Sequence, residues 1–149
     1  MDGQADPGPL CPIKERMKSM FKISKSVGTP TPPFEYLPGT SEESFSDGEA
    51  LVLSSGKLTK CGATVTPEFV CVGAYTGDGA SLIPVMRVNE TLEFESTFAA
   101  APTSLNPGDK VTLHTDGLQV TATTTAGVFT LSRIDGTASG ATCAGYFRR

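Results

Sequence analysis

The chain has 149 residues, a hydrophobic fraction of 38%, no tryptophan and a formal net charge of −4. This length allows one domain, or one small domain with an appendage. The acidic balance disfavours free nucleic acid as a partner, because nucleic-acid binding usually needs a basic surface. No apolar run reaches the roughly 18 residues of a membrane-spanning helix, and residues 1–10 lack the apolar region of a signal peptide. We therefore expect synthesis in a cytosol, with neither a membrane nor nucleic acid as partner.

The composition changes near Ser46. Residues 1–46 are rich in proline, hold few β-branched residues and show no alternation of polar and apolar positions. Such a segment buries too little apolar surface to fold alone, so we predict an extended N-terminal arm over residues 1–46. Its cations are Lys14, Arg16, Lys18, Lys22 and Lys25, opposed in that stretch by Glu15 alone. This asymmetry indicates that the arm and the acidic remainder meet different surfaces.

Within the arm, one short stretch has helical periodicity. Its apolar residues are Ile13, Met17, Met20 and Phe21, and Pro12 is suited to a first helical position. We predict a short amphipathic helix near residues 13–24. A helix of this length is marginal in isolation, so it would need a partner surface.

The second half of the arm, residues 29–38, is typical of an extended polyproline-like segment. It carries Phe34, Tyr36 and Leu37 as apolar anchors. The residues predicted to bind a partner are Ile13, Lys14, Arg16, Met17, Lys18, Met20, Phe21, Lys22, Phe34, Tyr36 and Leu37.

From Asp47 onward, short apolar segments alternate with turn residues. This pattern predicts an all-β domain over residues 47–149, a small β-barrel or sandwich of eight or nine short strands that folds without the arm. The predicted strands are Ala50–Leu53, Lys57–Cys61, Phe69–Ala74, Ile83–Val88, Thr91–Glu95, Lys110–Thr115, Leu118–Thr123, Val128–Ile134 and Thr142–Arg148. The strongest local signal is Asp116-Gly117, which predicts a two-residue hairpin turn.

Candidate catalytic residues are few. His114 is the only histidine, and its spacing from Asp116 does not define a triad, so we interpret it as an outward-facing strand residue. Glu93 and Glu95 share one face of a strand; we interpret that face as solvated, with Leu92 and Phe94 pointing inward. No catalytic residue is predicted.

The four cysteines, Cys11, Cys61, Cys71 and Cys143, form no C-x-x-C pair. Metal sites need closely spaced Cys or His ligands, so we predict no metal. Cys61, Cys71 and Cys143 are expected to be small apolar strand residues, and a Cys61–Cys71 disulfide is left open. No phosphate-binding motif is present, and no cofactor is expected.

Several segments of the β region together follow a pattern that is found in one class of proteins. They are Asp47-Gly48-Glu49-Ala50-Leu51-Val52-Leu53 with Ser55-Gly56-Lys57, Leu82-Ile83-Pro84-Val85-Met86-Arg87-Val88 with Glu93-Phe94-Glu95, and Gly108-Asp109-Lys110-Val111-Thr112 with Gly117-Leu118-Gln119-Val120-Thr121. Together they resemble small head decoration (cement) proteins of tailed bacteriophages, over Asp47–Arg149. The resemblance implies a β-barrel on the outer face of a virion capsid, bridging and stabilising neighbouring subunits. Its partners would be the major capsid protein and other copies of the chain.

Two other functions remain open. A β-sandwich module that recognises glycans or a host surface would expose aromatic side chains on the β domain. A small hydrolase is disfavoured, because the chain has one histidine and no catalytic motif.

Overall fold

The computed structural model describes residues 20–28 and 32–147, which form twelve β-strands and no helix. The predicted all-β class is confirmed. The strands are β1 (Lys22–Ser26), β2 (Phe34–Pro38), β3 (Ser44–Phe45), β4 (Ala50–Ser54), β5 (Lys57–Lys60), β6 (Phe69–Cys71), β7 (Tyr75–Thr76), β8 (Leu82–Arg87), β9 (Leu92–Thr97), β10 (Lys110–Val111), β11 (Phe129–Ile134) and β12 (Thr142–Phe147).

Five strands form the β4 sheet, in the antiparallel order β2-β8-β6-β4-β5. A parallel bridge joins Gly39, just after β2, to Leu58 in β5. The Thr40 N–H also donates to the Leu58 carbonyl at 3.0 Å. Because this bridge brings the two ends of the sheet together, the β4 sheet is barrel-like. It surrounds the smaller core, formed by Phe45, Leu51, Leu58, Phe69, Cys71, Ile83 and Val85.

Five other strands form the β9 sheet, in the antiparallel order β1-β9-β12-β11-β10. Val120 bridges to Leu113 after β10 and to Phe98 after β9, which curls this sheet as well. The β9 sheet packs on the larger core, whose buried members are Phe21, Ala50, Cys61, Val70, Leu92, Phe94, Phe98, Val111, Leu113, Val120, Val128, Phe129, Leu131, Cys143 and Phe147.

The two cores share strands β4 and β6. Successive strand residues point to opposite faces. Ala50 and Val70 accordingly belong to the larger core, and their neighbours Leu51 and Phe69 belong to the smaller core. The two sheets are thus joined by strands that are buried on both faces. The third sheet, β3 with β7, contributes Phe45 to the smaller core.

The described part of the predicted arm is built into this fold. β1 pairs with β9, β2 with β8 and β3 with β7. Residue 46 therefore does not separate the described residues into an arm and a body. Local composition missed these pairings because each one joins residues 30 or more positions apart.

The part of the predicted helix that the structure describes is not helical. Residues 22–24 lie in strand β1, while residues 13–19 lie outside the described part of the chain. The edge of β9 offers backbone partners to β1, and Phe21 packs against Phe129 and Phe147 with ring centroids 5.7 and 5.1 Å away. This tertiary packing outweighs the local helical periodicity.

The predicted hairpin around Asp116-Gly117 has the expected register, because Leu113 lies opposite Val120. The turn is closed by the Gly117 N–H, which donates to the His114 carbonyl at 3.0 Å, so its central residues are Thr115 and Asp116 rather than the predicted pair Asp116-Gly117. Gly117 has φ +72°, and a Cβ there would lie 2.9 Å from the Cγ of Glu49. The return segment makes bridges and single hydrogen bonds rather than the predicted strand Leu118–Thr123.

Candidate interaction surface

Strands β2 and β8 present an unusual outer face. In their ladder, Phe34 lies opposite Met86 and Tyr36 opposite Pro84. Opposed residues of an antiparallel pair project on the same side. One side of the pair is therefore entirely apolar, and we call it the β2–β8 apolar face. Its six residues are Phe34, Tyr36, Pro38, Leu82, Pro84 and Met86.

Three large side chains of this face are strongly exposed. Phe34 is 49% exposed, Tyr36 58% and Leu82 61%. Met86 lies opposite Val70 of the larger core, so the face continues the side of the β4 sheet that packs on that core. Contiguous exposed apolar surface on a folded protein marks an interaction site.

The other side of β2 points into the protein. Leu37 lies opposite Ile83, and both pack in the smaller core. Of the three anchors predicted on this segment, Phe34 and Tyr36 therefore lie on the surface, while Leu37 stabilises its own fold. Because successive strand residues point to opposite faces, Leu37 is separated from Phe34 and Tyr36. The sequence alone does not reveal this separation, since it does not show which strand the extended segment pairs with.

The outer edge of β2 is open at Tyr36. Pro84 has no N–H, and its carbonyl accepts the Val72 N–H at 3.0 Å on the β6 side. The Tyr36–Pro84 pair is therefore the non-hydrogen-bonded kind, and the backbone groups of Tyr36 point away from β8. Pro33 and Pro38 bracket this edge and offer it no donor.

The described chain begins at a groove beside this face. The Phe21 N–H donates to the Gly48 carbonyl at 2.9 Å, and Met20 packs against Gly48, which has φ +78°. The groove has a volume of about 160 Å³ and includes Met20, Val72 and Met86 in its lining. Met86 belongs both to this Met20 groove and to the β2–β8 apolar face, so the two are continuous.

Phe21, which the sequence predicts to bind a partner, does not lie on the surface. It is 1% exposed and lies in the aromatic cluster of the larger core. The predicted residues Ile13, Lys14, Arg16, Met17 and Lys18 lie outside the described part of the chain.

Lys22, predicted to contact a partner, already has an acidic neighbour. Its Nζ lies 3.7 Å from Glu95 Oε1, and its side chain is 54% exposed. Arg133 also binds Glu95, at 2.8 Å, and Asp135, at 3.0 Å. The hydrogen bonds that the guanidinium donates to Glu95 and to Asp135 raise the pKa of Arg133. Lys22 thus lies at the rim of a surface ion-pair network.

Glu93 and Glu95 were interpreted as a solvated face, and the structure differs at Glu93. Leu92 and Phe94 point into the core as expected, but Glu93 is 5% exposed rather than solvated. Its Oε2 accepts a hydrogen bond from Ser132 Oγ at 2.6 Å. Strand β1 adds to the edge of β9 at this point, with Lys25 opposite Glu93. The carboxylate is therefore part of the sheet surface and is held by Ser132 of β11, on the far side of β12.

His114 lies in the turn that its own backbone closes. Its Nδ1 is 3.3 Å from both the Asp116 N–H nitrogen and Asp116 Oδ1. The same Oδ1 accepts the N–H groups of Leu118 and Gln119, at 2.8 and 3.2 Å. Asp116 is thus engaged as a turn cap, and this arrangement gives no support to a catalytic pair.

The described cysteines are free and buried. Burial raises the pKa of Cys61, Cys71 and Cys143 to about 12, so these thiols stay protonated near neutrality and are poor nucleophiles. Cys61 and Cys71 lie in different cores and do not form the disulfide that the sequence left as an open possibility. Among residues 20–28 and 32–147, no cluster of His, Cys, Asp and Glu could hold a metal ion.

Comparisons with known proteins find no matching protein-family model and no curated protein of significant sequence similarity. In the part of the chain that the structure describes, no helix has the length and apolar character needed to cross a membrane.

Proposed function

We propose that this protein is a structural capsid decoration (cement) protein. It binds the outer surface of a phage head, bridges neighbouring major capsid subunits and stabilises the shell. The observation that carries the proposal is the β2–β8 apolar face, with Phe34, Tyr36 and Leu82 about half exposed on a rigid sheet. The resemblance of the β region to decoration proteins gives this face its expected partner.

The side chains of the β2–β8 apolar face suit stable binding across neighbouring capsid subunits. Aromatic residues on a fixed scaffold lose little conformational freedom on association and often dominate binding free energy. The strands beneath them are held by the smaller core, through Leu37, Ile83 and Val85. The cations of residues 14–25 would speed the approach to an acidic shell, an effect that salt screens.

The proposal is tested on heads that lack their decoration protein. The variant Tyr36→Ser removes an exposed ring, and Tyr75→Ser is its matched control, because Tyr75 is 40% exposed on β7 of another sheet. We expect Tyr36→Ser to raise the dissociation constant by about tenfold or more, the equivalent of at least about 1.4 kcal/mol. Tyr75→Ser should bind as the wild type does.

Occupancy is measured by sedimentation of heads with fluorescent protein at two salt concentrations. Equal binding by the wild type and a Phe34→Ser/Tyr36→Ser double variant would contradict the assignment of this face. Absence of wild-type binding to any undecorated head would contradict the proposed function itself.

The alternative of a glycan- or surface-binding module is supported by one observation, the exposure of Phe34, Tyr36 and Tyr75. Aromatic rings with free faces can stack on sugars. Glycan-array binding by the wild type that is lost in Tyr36→Ser or Tyr75→Ser would favour this alternative over decoration.

A further inference from the structure

The Met20 groove and the β2–β8 apolar face lie on the same side of the β4 sheet. Val70 and Val72 line the groove. Met86 lies opposite Val70, and the Val72 N–H donates to the carbonyl of Pro84, which in turn lies opposite Tyr36. Cross-strand neighbours project on one side of a sheet. Because neighbouring strands are about 4.8 Å apart, Tyr36 lies two strand spacings, about 10 Å, from Val72.

The groove has the size of one aromatic ring. Its volume is about 160 Å³, and an apolar cavity of about 150 Å³ holds a benzene molecule. Phe21, Ile23 and Phe94 line it on the side of the larger core, while Lys22 and Asp47 are the charged residues of its lining. A tyrosine suits such a site, because its ring is apolar and its hydroxyl needs a polar partner.

The two charged residues of the lining differ in what they can offer a ligand. Lys22 Nζ lies 3.7 Å from Glu95 Oε1. Asp47 Oδ1 accepts the Gly73 N–H at 2.9 Å, and a carboxylate accepts several hydrogen bonds. The groove therefore combines an apolar floor with an acceptor for one hydroxyl group.

The Tyr36 ring does not fill the groove of its own chain. It is 58% exposed and is fixed on strand β2, about 10 Å away. A surface that carries a protruding ring beside a ring-sized groove is complementary to a second copy of itself. In a two-fold pair, each copy gives its ring to the other and receives one in return.

We infer that the protein associates with a second copy of itself as a two-fold pair, in which Tyr36 of each copy enters the Met20 groove of the other. The Tyr36 hydroxyl donates to Asp47 of the second copy. The two-fold axis passes over β8, midway between Tyr36 and Val72. None of the six residues of the β2–β8 apolar face is charged, so the contact brings no like charges of the two faces together.

The pair is weak, because the contact is small. Phe34 is 49% exposed, Tyr36 58% and Leu82 61%. A fully buried aromatic side chain covers about 150–250 Å², so these three contribute roughly 300 Å² per copy. A stable complex buries about 800 Å² per partner. We therefore expect a dissociation constant on the order of 0.1–1 mM, with single copies at micromolar concentration and pairs where the protein is crowded.

The test compares amide spectra of the isotope-labelled full chain between about 0.05 and 1 mM, the range that brackets this dissociation constant. We expect concentration-dependent shifts at Gly48, Val72 and Met86. Tyr36→Ser should weaken the association by about tenfold or more and so remove these shifts. Tyr75→Ser, which changes an exposed ring on another sheet, should retain them. A well-dispersed spectrum shows that each variant is folded.

A mixed sample identifies where the ring binds. Labelled Tyr36→Ser chains keep the groove and lack the ring. An excess of unlabelled wild type should shift the amides of Val72 and Met86 in these chains, whereas an excess of unlabelled Tyr36→Ser should not.

Three results would overturn the inference. They are a wild-type spectrum that does not change with concentration, as expected if the chain fills its own groove, shifts that persist in Tyr36→Ser, and a labelled variant that does not respond to wild type. The inference concerns the free protein and does not rest on the proposed capsid contact. Binding to heads is measured at micromolar concentration or below, where the copies are single, so either proposal can fail without the other.

Discussion

At the scale of single residues, Glu49 is the most buried of the described carboxylates. It is 1% exposed, its Oε2 accepts Lys60 Nζ at 2.8 Å, and its Oε1 accepts the Ser46 N–H at 2.9 Å. Its backbone carbonyl accepts the Cys71 N–H at 2.9 Å. Glu49 therefore ties the loop before β4 to both β5 and β6.

We predict an asymmetric response of this ion pair to mutation. Lys60→Met leaves a buried carboxylate without its cation and should lower the free energy of unfolding by about 3 kcal/mol. Glu49→Gln leaves only Lys60, whose side chain is 49% exposed and can be solvated, and should cost about 1–2 kcal/mol. Urea unfolding measures both; a larger loss for Glu49→Gln would contradict this account.

The buried thiols predict a loss of stability at alkaline pH. Burial raises their pKa from 9.0 to about 12, so the unfolded chain loses these protons first as the pH rises. The free energy of unfolding should therefore decrease from about pH 9 towards pH 12, with a slope approaching about 1.4 kcal/mol per pH unit for each cysteine.

The comparison of wild type with Cys143→Ala isolates this effect from other titrating groups. Urea unfolding at several pH values between 7 and 10.5 should give a shallower decline for the variant. Parallel declines in the two proteins would show that Cys143 does not titrate differently on folding.

At the scale of structural elements, the N-terminal strands change the expected domain boundary. Phe21 fills the larger core, and Phe45 fills the smaller one. We predict that a chain starting at residue 20 keeps the native fold, whereas one starting at residue 47 loses cooperative unfolding. Circular dichroism and amide exchange distinguish them, and native-like protection in the shorter chain would contradict the prediction.

A point substitution tests the same element without truncation. Phe21→Ala should lower the free energy of unfolding by about 3–5 kcal/mol, as for other buried aromatic side chains. Phe34→Ala on the exposed strand β2 is the control, and it should cost less than about 1 kcal/mol.

The sequence identified several strands where alternation and turns were local, although the predicted strand Leu118–Thr123 makes only bridges and single hydrogen bonds. The predicted strands Ala50–Leu53 and Lys57–Cys61 differ from the observed ones by one residue at their ends, and Thr142–Arg148 agrees with β12 over its described residues. β1 and β2 were missed because a Lys-rich and a Pro-flanked segment become strands only when β9 and β8 offer edges. For the same reason the sequence named Phe34 and Tyr36 as anchors but did not reveal Leu82 beside them.

At the scale of the whole molecule, the two cores are expected to unfold together. Strands β4 and β6 contribute Ala50 and Val70 to one core and Leu51 and Phe69 to the other. Separation of the sheets would expose both faces of these strands. We therefore predict a single unfolding transition.

Thiol labelling reports each core separately. Cys71 lies in the smaller core and Cys143 in the larger, and mass spectrometry quantifies the modification of each after a pulse at increasing urea concentrations. The two midpoints should coincide, and a lower midpoint for either thiol would show that its core opens alone.

The prolines on either side of the β2 edge affect how closely spaced copies of the protein associate. Growth of a fibre by edge-to-edge addition needs a long row of outward-facing N–H and C=O groups. Here Pro38 ends the row two residues beyond Tyr36, and Pro33 precedes it. Many copies could therefore stand side by side at high local density while this edge of β2 fails to nucleate polymers.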